Sequence, residues 1–536
     1  MSKQKYIFVT GGVVSGIGKG ISAASIGRIL KDMGFSVFMQ KFDPYLNIDP
    51  GTMSPYQHGE VFVTKDGGET DLDLGHYERF IDVELTKDSS VTSGKIYDLV
   101  LTKERRGEFE GRTVQVIPHI TDEIKNKVYK VRDFSKADII ITEIGGTVGD
   151  IESQPYFEAI RQIHSENPDD VLFVHTTLVP AIPGSNELKT KPTQHSYKQM
   201  MNYGIQPDVF VLRADYPITE SIRSKISLFC DIPKEGIVQS ENCDLIYEVP
   251  LSFKRQKLDK FICEKLKLTP KSDKSNKWQD MVDKFKKADK VLNIAMVGKY
   301  IELPDAYLSV NEALKDSGYN EGYKVSIKYL DSEKINEDNY EKMLSDFDGF
   351  LVPGGFGERG IEGMILTSKY ARENNKAYFG ICLGMQVAVI DILRNVKSLE
   401  GANSVEFDKD TKYPVIDIME DKKNIKNIGG TLRLGDWQCK IKENSKASEI
   451  YNSDMIVERH RHRYEVNELF KKDLEESGVI ISGVNPQSDL VEMIEYKDHP
   501  HFVACQFHPE FKSRPNKPAP LFNAFIKACG KLKYEK

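Results

Sequence analysis

Short apolar runs alternate with helical segments along the first half of the chain. The runs predict strands at residues 6–10, 36–42, 137–143, 171–177 and 207–213. Helices are predicted between them, for example at residues 21–30 and 220–230. Because strands that alternate with helices are typical of a doubly wound parallel sheet, we predict an α/β domain over residues 1–266.

This pattern is interrupted at residues 267–292, which are rich in lysine and aspartate. One amphipathic patch around Trp278 and Phe285 remains, so the segment is interpreted as a linker with one helix. A new series of apolar strands then begins and includes runs at 348–353, 377–381 and 502–507. The sequence therefore predicts a second α/β domain over residues 293–536.

The first strand leads into a glycine-rich turn, Gly11–Gly20, and then into a helix. Such a turn exposes backbone N–H groups to an anion in front of a helix N-terminus, and Lys19 adds a positive charge for phosphates. The turn deviates from the usual P-loop, because Val13 replaces a glycine and Gly20 replaces the Ser/Thr that contacts Mg²⁺. An ordinary strand–helix turn is the alternative, and the five glycines and the lysine favour phosphate binding.

Two carboxylates are candidates to replace the missing hydroxyl as Mg²⁺ ligands. Glu143 ends a buried strand near the P-loop, where such a ligand belongs, and Asp73 opens a predicted helix. Helix capping or a surface charge is the alternative for each of them. Residues 51–68 are rich in Gly, Pro, Thr and Ser, and we predict a functional loop there rather than a packed element.

Lysines on a second loop suit another polyphosphate. They lie in the segment Lys189–Gln194, which also contains a proline. A pair of solvated charges is the alternative, and composition alone favours it.

The second half contains a nucleophile elbow with cysteine in place of serine. Cys382 lies between Gly380 and Gly384, at the junction of a strand and a helix whose N-terminus favours a thiolate. His508 follows another strand as a candidate base, and Glu510 is placed to orient its imidazole. The glycine turn at 354–357 offers donors for an oxyanion. Each feature alone is compatible with a structural role, but their combination in this order predicts nucleophilic catalysis by a cysteine thiolate.

Composition and charge exclude several other classes of protein. The net charge is −7, which argues against a broad nucleic-acid-binding or membrane-binding surface. There is no apolar run long enough for a membrane span, and the seven cysteines form no C-x-x-C pair. We therefore expect a reduced, cytoplasmic protein.

These motifs together resemble a known family. The second half resembles a class I glutamine amidotransferase domain in its motifs G-I-C-L-G-M-Q and H-P-E. The first half resembles the ATP-dependent amidoligase domain of CTP synthases, and the shared stretches include V-T-G-G-V-V-S-G-I-G-K-G, D-L-D-L-G-H-Y-E-R-F, E-I-G-G-T-V-G-D-I-E and K-T-K-P-T-Q-H-S. The irregular P-loop is the form found in this family. The resemblance implies two doubly wound α/β domains.

The resemblance also implies a role for each matching residue. The catalytic triad would be Cys382, His508 and Glu510. Glutamine would be held by Gly355, Leu383, Gly384, Met385, Gln386, Glu406 and Arg463. ATP would be bound by Ser15, Gly16, Ile17, Gly18, Lys19, Gly20 and Asp73, with Mg²⁺ on Asp73 and Glu143. UTP and the product CTP would be bound by Ser15, Lys41, Asp150, Ile151, Glu152, Lys189, Thr190, Lys191, Pro192, Thr193, Gln194 and Lys225.

The activity implied is amination of UTP to CTP, with ATP as co-substrate and L-glutamine as the source of ammonia. The resemblance further implies Mg²⁺ as cofactor, inhibition by CTP, activation by GTP through a region that includes Arg359, and a homotetramer formed through the first domain. Two alternatives stay open from the residues. One is a related amidoligase with another acceptor, such as a carboxylate, and the other is a non-catalytic ATP switch.

Overall fold

The computed structural model of the protein describes residues 4–184, 187–418 and 432–535. Contacts divide the chain into two compact units. The first contains Met1–Pro50 and Asp73–Val282, and the second contains Gly51–Leu72 and Asp283–Lys536. The domain boundaries at 266 and 293 stay a prediction, and this division differs from them chiefly because Gly51–Leu72 packs with the second unit.

The first unit is built on a parallel sheet. Its strands are β1 (Lys5–Gly11), β2 (Val37–Asp43), β3 (Ser90–Thr92), β4 (Ile139–Ile144), β5 (Val171–Leu178), β6 (Val209–Arg213) and β7 (Ile237–Ser240). Their order is β7-β6-β5-β1-β4-β2-β3, and every pair is parallel. The strands are almost wholly buried, as expected for a sheet covered on both faces. The order brings the carboxyl ends of β1, β4 and β2 together.

Helices accompany this sheet throughout the first unit. They are α1 (Lys19–Asp32), α2 (Asp73–Ile81), α3 (Ser93–Arg105), α4 (Thr121–Ser135), α5 (Gln154–Glu166), α6 (Lys191–Asn202), α7 (Glu220–Cys230), α8 (Val249–Arg255), α9 (Leu258–Lys265) and α10 (Ser275–Lys286). The last is the helix predicted within the linker; it begins in the first unit and its final residues, from Asp283, are assigned to the second. Trp278 anchors it, because the ring is buried and Nε1 donates a 2.8 Å hydrogen bond to the Tyr247 carbonyl.

The second unit contains a mixed sheet. Its strands are β8 (Lys290–Gly298), β9 (Tyr323–Asp331), β10 (Gly349–Val352), β11 (Ala377–Ile381), β12 (Arg433–Ile441), β13 (Met455–His462), β14 (Val479–Val484), β15 (Val491–Tyr496) and β16 (Phe502–Cys505). In the order β9-β8-β10-β11-β16-β15-β14-β12-β13, the first five strands are parallel and the others antiparallel. The doubly wound half carries the predicted strands, and β11 and β16, which lead to Cys382 and His508, are neighbours.

The helices of this unit include a short one at Pro55–His58 and also α11 (Leu308–Asn320), α12 (Tyr340–Leu344), α13 (Ile361–Glu373), α14 (Leu383–Asn395), α15 (Lys446–Tyr451), α16 (Lys471–Glu476) and α17 (Pro520–Tyr534). A small sheet of Ala402–Ser404, Tyr413–Ile418 and Tyr464–Val466 lies beside them. Within the described ranges, no helix of either unit is long and apolar enough to cross a membrane.

The prediction of an unpacked loop at residues 51–68 is wrong. Phe62–Val63 pairs with Glu69–Thr70 as a hairpin, and both Phe62 and Val63 are fully buried. The Phe62 ring lies 5.1 Å from that of Phe511, and the Arg459 guanidinium lies over it. We call residues Gly51–Leu72 the inserted segment. The sequence did not predict this packing, because the residues that the segment contacts, such as Arg459 and Phe511, are hundreds of positions away in the chain.

Candidate active sites

Cys382 occupies a sharp turn between β11 and α14. Its backbone has φ 54° and ψ −103°, a conformation that non-glycine residues rarely adopt and that marks a strained elbow. The side chain is buried at 4% exposure, directly at the N-terminus of α14. The Cys382 N–H donates to the Cys505 carbonyl on the neighbouring β16 at 2.7 Å. The predicted elbow therefore has the geometry of a nucleophile position.

His508 and Glu510 lie on the turn that follows β16. His508 Nδ1 and Glu510 Oε1 are 2.7 Å apart, and the His508 N–H donates to the Arg459 carbonyl at 2.7 Å. Burial lowers the pKa of His508, but Glu510 and Cys382 outweigh it and raise that pKa to about 10. A Cβ added to Gly354 would lie 2.8 Å from His508 Cε1 and 3.6 Å from Cys382 Cβ. The candidate base, the candidate nucleophile and the glycine turn thus lie side by side.

A cavity of about 160 Å³ opens onto this centre within the second unit. It is lined by Cys382, His508 and Glu510, by the turn Pro353–Phe356, by Arg461, and by residues of the inserted segment such as Gly51 and Glu60. Gly355, a predicted glutamine-binding residue, is therefore at the cavity wall. The inserted segment is tied there by Arg461, whose Nε donates to Glu69 Oε1 at 2.9 Å.

Other predicted glutamine-binding residues lie around the same turn. Glu406 accepts a 2.7 Å hydrogen bond from the Gly357 N–H. Burial raises the pKa of Glu406, although Lys299 and Arg463 lie near enough to oppose that rise. Leu383, Gly384, Met385 and Gln386 form the buried first turn of α14. The Gln386 side chain points to Tyr464 and Gln506, with Nε2 donating to the Tyr464 carbonyl at 3.1 Å.

One further cysteine and two histidines lie buried near this centre. Cys505 is fully buried in β16, and burial raises the pKa of its thiol well above the usual range. His460 Nδ1 and His462 Nε2 lie 2.7 Å apart. Burial lowers the pKa of both histidines, which keeps them neutral. Within the described residues, no group of three or more His, Cys, Asp or Glu side chains is arranged to hold a metal ion.

In the first unit, the glycine-rich turn between β1 and α1 has the backbone of a phosphate cradle. Gly16 and Gly18 have φ of 73° and 84°, and even Val13 has a φ of 77°. Lys19 begins α1, and its Nζ donates to the Gly146 carbonyl at 2.7 Å, at the end of β4. Burial lowers the pKa of Lys19. Ser15, Gly16, Ile17 and Gly18 lie in the turn, and Lys19 and Gly20 begin α1. The predicted ATP-binding residues other than Asp73 are therefore consecutive in the chain.

Asp73 lies where a P-loop hydroxyl would otherwise be. A Cβ added to Gly20 would lie only 2.0 Å from Asp73 Oδ1, so the glycine makes room for the carboxylate. Lys41 joins Asp73 to Glu143, contacting the former directly and Glu143 Oε1 at 2.9 Å. Burial alone would raise the pKa of Asp73, but Lys41 outweighs it and lowers that pKa to about 2. Burial raises the pKa of Glu143.

These two carboxylates fit Mg²⁺ by their chemistry. Mg²⁺ is usually held by one or two carboxylates together with substrate phosphates and water. Asp73 and Glu143 provide two carboxylates, and both lie beside the phosphate cradle. They therefore suit a metal ion that is completed by a nucleotide.

Of the predicted UTP residues, Ser15 lies in the glycine-rich turn and Lys41 on β2, and a further group lies at the N-terminus of α6. Lys191 and Pro192 open that helix, and Gln194 Nε2 donates to Thr190 Oγ1 at 3.1 Å. Thr193 Oγ1 donates to the Leu178 carbonyl at 3.1 Å. The basic residues Lys189 and Lys225 converge on Glu187, since the Lys189–Glu187 pair is 2.7 Å long and both lysines lower the pKa of that carboxyl. The turn Asp150–Glu152 is exposed, with Asp150 Oδ2 accepting from the Thr147 N–H at 2.7 Å.

Two residues at these sites, Lys299 and Gln506, were not predicted from the sequence as active-site candidates. Lys299 Nζ donates to the carbonyls of Phe356 and Gly357, and burial lowers its pKa to about 8. Gln506 Nε2 lies 3.6 Å from Cys382 Sγ. Its position two residues before His508 was the only sequence signal for it.

Known proteins match the chain over almost its whole length. The family "CTP synthase N-terminus" matches residues 5–268, and "Glutamine amidotransferase class-I" matches residues 302–528. CTP synthase of Bacillus subtilis (strain 168) is 56% identical over 525 residues, 98% of each chain. CTP synthase of Clostridium kluyveri is 57% identical over 532 residues, 99% of each chain.

One solved structure is similar over the second half. The Trypanosoma brucei CTPS glutaminase domain with bound acivicin is 41% identical and covers 45% of this chain and 95% of that one, with a TM-score of 0.43. The full-length matches carry the assignment, because they span both predicted domains and are identical at 56–57% of the aligned positions. The chain therefore belongs to the CTP synthase family, whose members are glutamine-hydrolysing ligases with a synthetase and a glutaminase domain.

Proposed function

We propose that this chain aminates UTP at uracil C4 through a 4-phosphorylated intermediate, with ammonia released from glutamine at Cys382. The observation that carries the proposal is the pairing, on one chain, of two specialised centres. One is the Cys382–His508–Glu510 constellation, and the other is the P-loop in which Gly20 makes room for Asp73.

At the glutaminase centre, Cys382 Sγ attacks the glutamine amide carbon and forms a tetrahedral adduct. Backbone N–H groups of the Gly354–Gly355 turn are candidates to stabilise its oxyanion, each worth about 10²–10³ in rate. His508 gives a proton to the departing nitrogen, so ammonia leaves and a glutamyl thioester remains. Water activated by His508 then hydrolyses the thioester. Glu510 holds the imidazole in place and stabilises its protonated form.

At the synthetase centre, the turn Ser15–Gly20 holds the ATP phosphates. Asp73 and Glu143 would hold Mg²⁺, which supplies charge neutralisation at the transferring phosphoryl group. Lys19 and Lys41 add positive charge, and Lys41 already lies against both carboxylates. The γ-phosphoryl group passes to the 4-oxygen of UTP, and ammonia from Cys382 then displaces phosphate at C4. We propose that this ammonia is channelled rather than released.

Lys189, Lys191 and Lys225 are proposed to bind the UTP triphosphate, with Asp150–Glu152 contributing to CTP inhibition. GTP activation would involve Arg359, whose side chain contacts Tyr56 and the Lys299 carbonyl at 3.1 Å each. A homotetramer and a cytoplasmic location stay predictions from the sequence.

The test is an assay of CTP formation from UTP, ATP and Mg²⁺ with glutamine or ammonium as nitrogen source. Cys382→Ala is expected to abolish glutamine-driven synthesis, because no other nucleophile replaces the thiolate, and to retain ammonium-driven synthesis. Loss of both activities in a folded variant would contradict separable centres. ADP release with a carboxylate acceptor but not with UTP would favour the alternative amidoligase.

A further inference from the structure

Gln506 is a buried side chain at the glutaminase centre that the proposed mechanism does not use. It follows β16 directly, and its exposed fraction is zero. Its N–H donates to the Glu492 carbonyl on β15 at 2.8 Å, which fixes its backbone to the sheet. Its Nε2 lies 3.6 Å from Cys382 Sγ, within hydrogen-bonding distance for a sulfur acceptor.

The orientation of the Gln506 amide follows from its neighbours. The Tyr464 carbonyl can only accept, so the Gln386 atom 3.1 Å away is its NH₂ group. That same Nε2 lies 3.3 Å from Gln506 Oε1 and donates to it. The Gln506 NH₂ group is thereby turned towards Cys382 Sγ. A fixed backbone acceptor thus sets the direction of both amides.

A buried thiolate needs such a donor. Cys382 is almost inaccessible to water, and an ionised group in such a place is costly unless it is hydrogen-bonded. The His508 imidazole also interacts with Sγ. The Arg461 carbonyl lies 4.0 Å from Sγ, and a carbonyl can stabilise only the protonated thiol. We propose that Gln506 Nε2 donates a hydrogen bond to the Cys382 thiolate and so favours the nucleophilic form. This inference rests on the proposed role of Cys382 as nucleophile.

The charged groups around the sulfur are compatible with this role. His508 and Glu510 face it from the turn after β16, and the pKa of His508 is raised, so the imidazole is positively charged. His460 and His462 on β13 face His508 and are kept neutral by burial, which lowers their pKa. Arg433 on β12 is engaged by Glu492 Oε1 at 2.7 Å and Glu465 Oε1 at 3.2 Å. Two groups that face Cys382 Sγ can therefore stabilise a thiolate: His508 as a positive charge and Gln506 as a neutral hydrogen-bond donor.

The experiment measures alkylation of Cys382 by iodoacetamide as a function of pH, in the full chain without glutamine. Gln506→Leu removes the donor, and Gln506→Glu keeps the shape but places a carboxylate beside the sulfur. Peptide mapping assigns the modified residue, and Cys382→Ala gives the background. We expect the rate at pH 7 to fall about tenfold or more in Gln506→Leu and further in Gln506→Glu, since a hydrogen bond to a charged group is lost.

A role in packing alone predicts another result. If Gln506 only packs, its substitution lowers the alkylation rate by the same factor at every pH. If Gln506 is a donor to the thiolate, its substitution moves the whole pH profile of alkylation towards alkaline values. Profiles of both Gln506 variants that superimpose on that of the unmodified protein would overturn the inference and leave Cys382 as nucleophile. Absence of Cys382 alkylation in the unmodified protein would overturn the proposed nucleophile and this inference together. Thermal unfolding identifies a variant that fails to fold, and the other variant then decides.

Discussion

At Gly20 the P-loop lacks the hydroxyl that usually contacts Mg²⁺, and a carboxylate from another element lies beside that position. The distance of 2.0 Å between an added Cβ and Asp73 Oδ1 means that any side chain at residue 20 displaces Asp73. The deviation from the P-loop pattern and the presence of Asp73 are therefore two aspects of one arrangement.

Gly20→Ala is expected to impair the synthetase reaction. The methyl group pushes the Asp73 carboxylate away, so the Mg²⁺ concentration for half-maximal CTP synthesis from ammonium should rise about 10- to 100-fold. Glutamine hydrolysis at Cys382 serves as the internal control, since Gly20 belongs to the first unit. An unchanged Mg²⁺ dependence would show that Asp73 does not hold the metal ion.

Glu510→Gln tests the buried charge on His508. The folded-state pKa of His508, about 10, exceeds the usual value of about 6.5 for an unfolded chain. The pair therefore stabilises the fold fully below about pH 6.5, and this contribution is lost as the pH rises through about 10. We expect the variant to be less stable by about 3–5 kcal/mol at neutral pH and to approach the unmodified protein near pH 10 and above. Denaturant unfolding at several pH values measures this, and a pH-independent difference would contradict it.

At the level of elements, predicted strands and helices near the candidate sites were confirmed where the local sequence pattern is strong. The run 377–381 coincides with β11, the helix predicted at 220–230 coincides with α7, and the run 6–10 lies within β1. In each case an apolar run or a helical segment is bounded by glycine or polar residues. Local sequence was therefore sufficient for the strand–turn–helix units that carry Cys382 and Lys19.

Long-range features could not be predicted in this way. The contact of Lys41 with Asp73 and Glu143 depends on the order of the strands, because Lys41 and Glu143 are in register only once β2 lies beside β4. The antiparallel half of the second sheet and the position of Gln506 depend equally on pairing between distant segments. The inserted segment is the strongest case, since its composition resembles that of a loop while Phe62 and Val63 are fully buried within the second unit.

Glu69→Ala tests the contact of this inserted segment with the glutaminase cavity. Arg461 lines the cavity and is held by Glu69 at 2.9 Å. Loss of the carboxylate removes one of the contacts that position this residue, whose carbonyl lies near Cys382 Sγ. We expect kcat/KM for glutamine hydrolysis to fall about 10- to 100-fold, as for a small misplacement of catalytic groups. Lys65→Ala is the matched control, because this exposed residue of the same hairpin contributes its carbonyl to Asp436. Equal effects of both changes would contradict a specific role of Glu69.

At the scale of the whole molecule, the order of the sequence does not coincide with the division into units. The chain passes from the first unit to the second at residue 51, returns at 73 and leaves again at 283. The protein contains two tryptophans, and each unit has one: Trp278 in the first and Trp437 in the second. Fluorescence of single-tryptophan forms, Trp437→Phe or Trp278→Phe, can therefore follow the unfolding of each unit separately.

Phe62→Ala is expected to destabilise the second unit although residue 62 lies early in the chain. Phe62 is fully buried against Phe511 and Arg459, and truncation of such a side chain costs about 3–5 kcal/mol. For a unit of this size that corresponds to a fall of about 6–20 °C in the midpoint reported by Trp437. Phe80→Ala is the matched control, because Phe80 is equally buried but packs 5.9 Å from Trp278 and should lower the midpoint of the first unit. If Phe62→Ala shifts the Trp278 signal and leaves that of Trp437 unchanged, the inserted segment is not part of the second unit in solution.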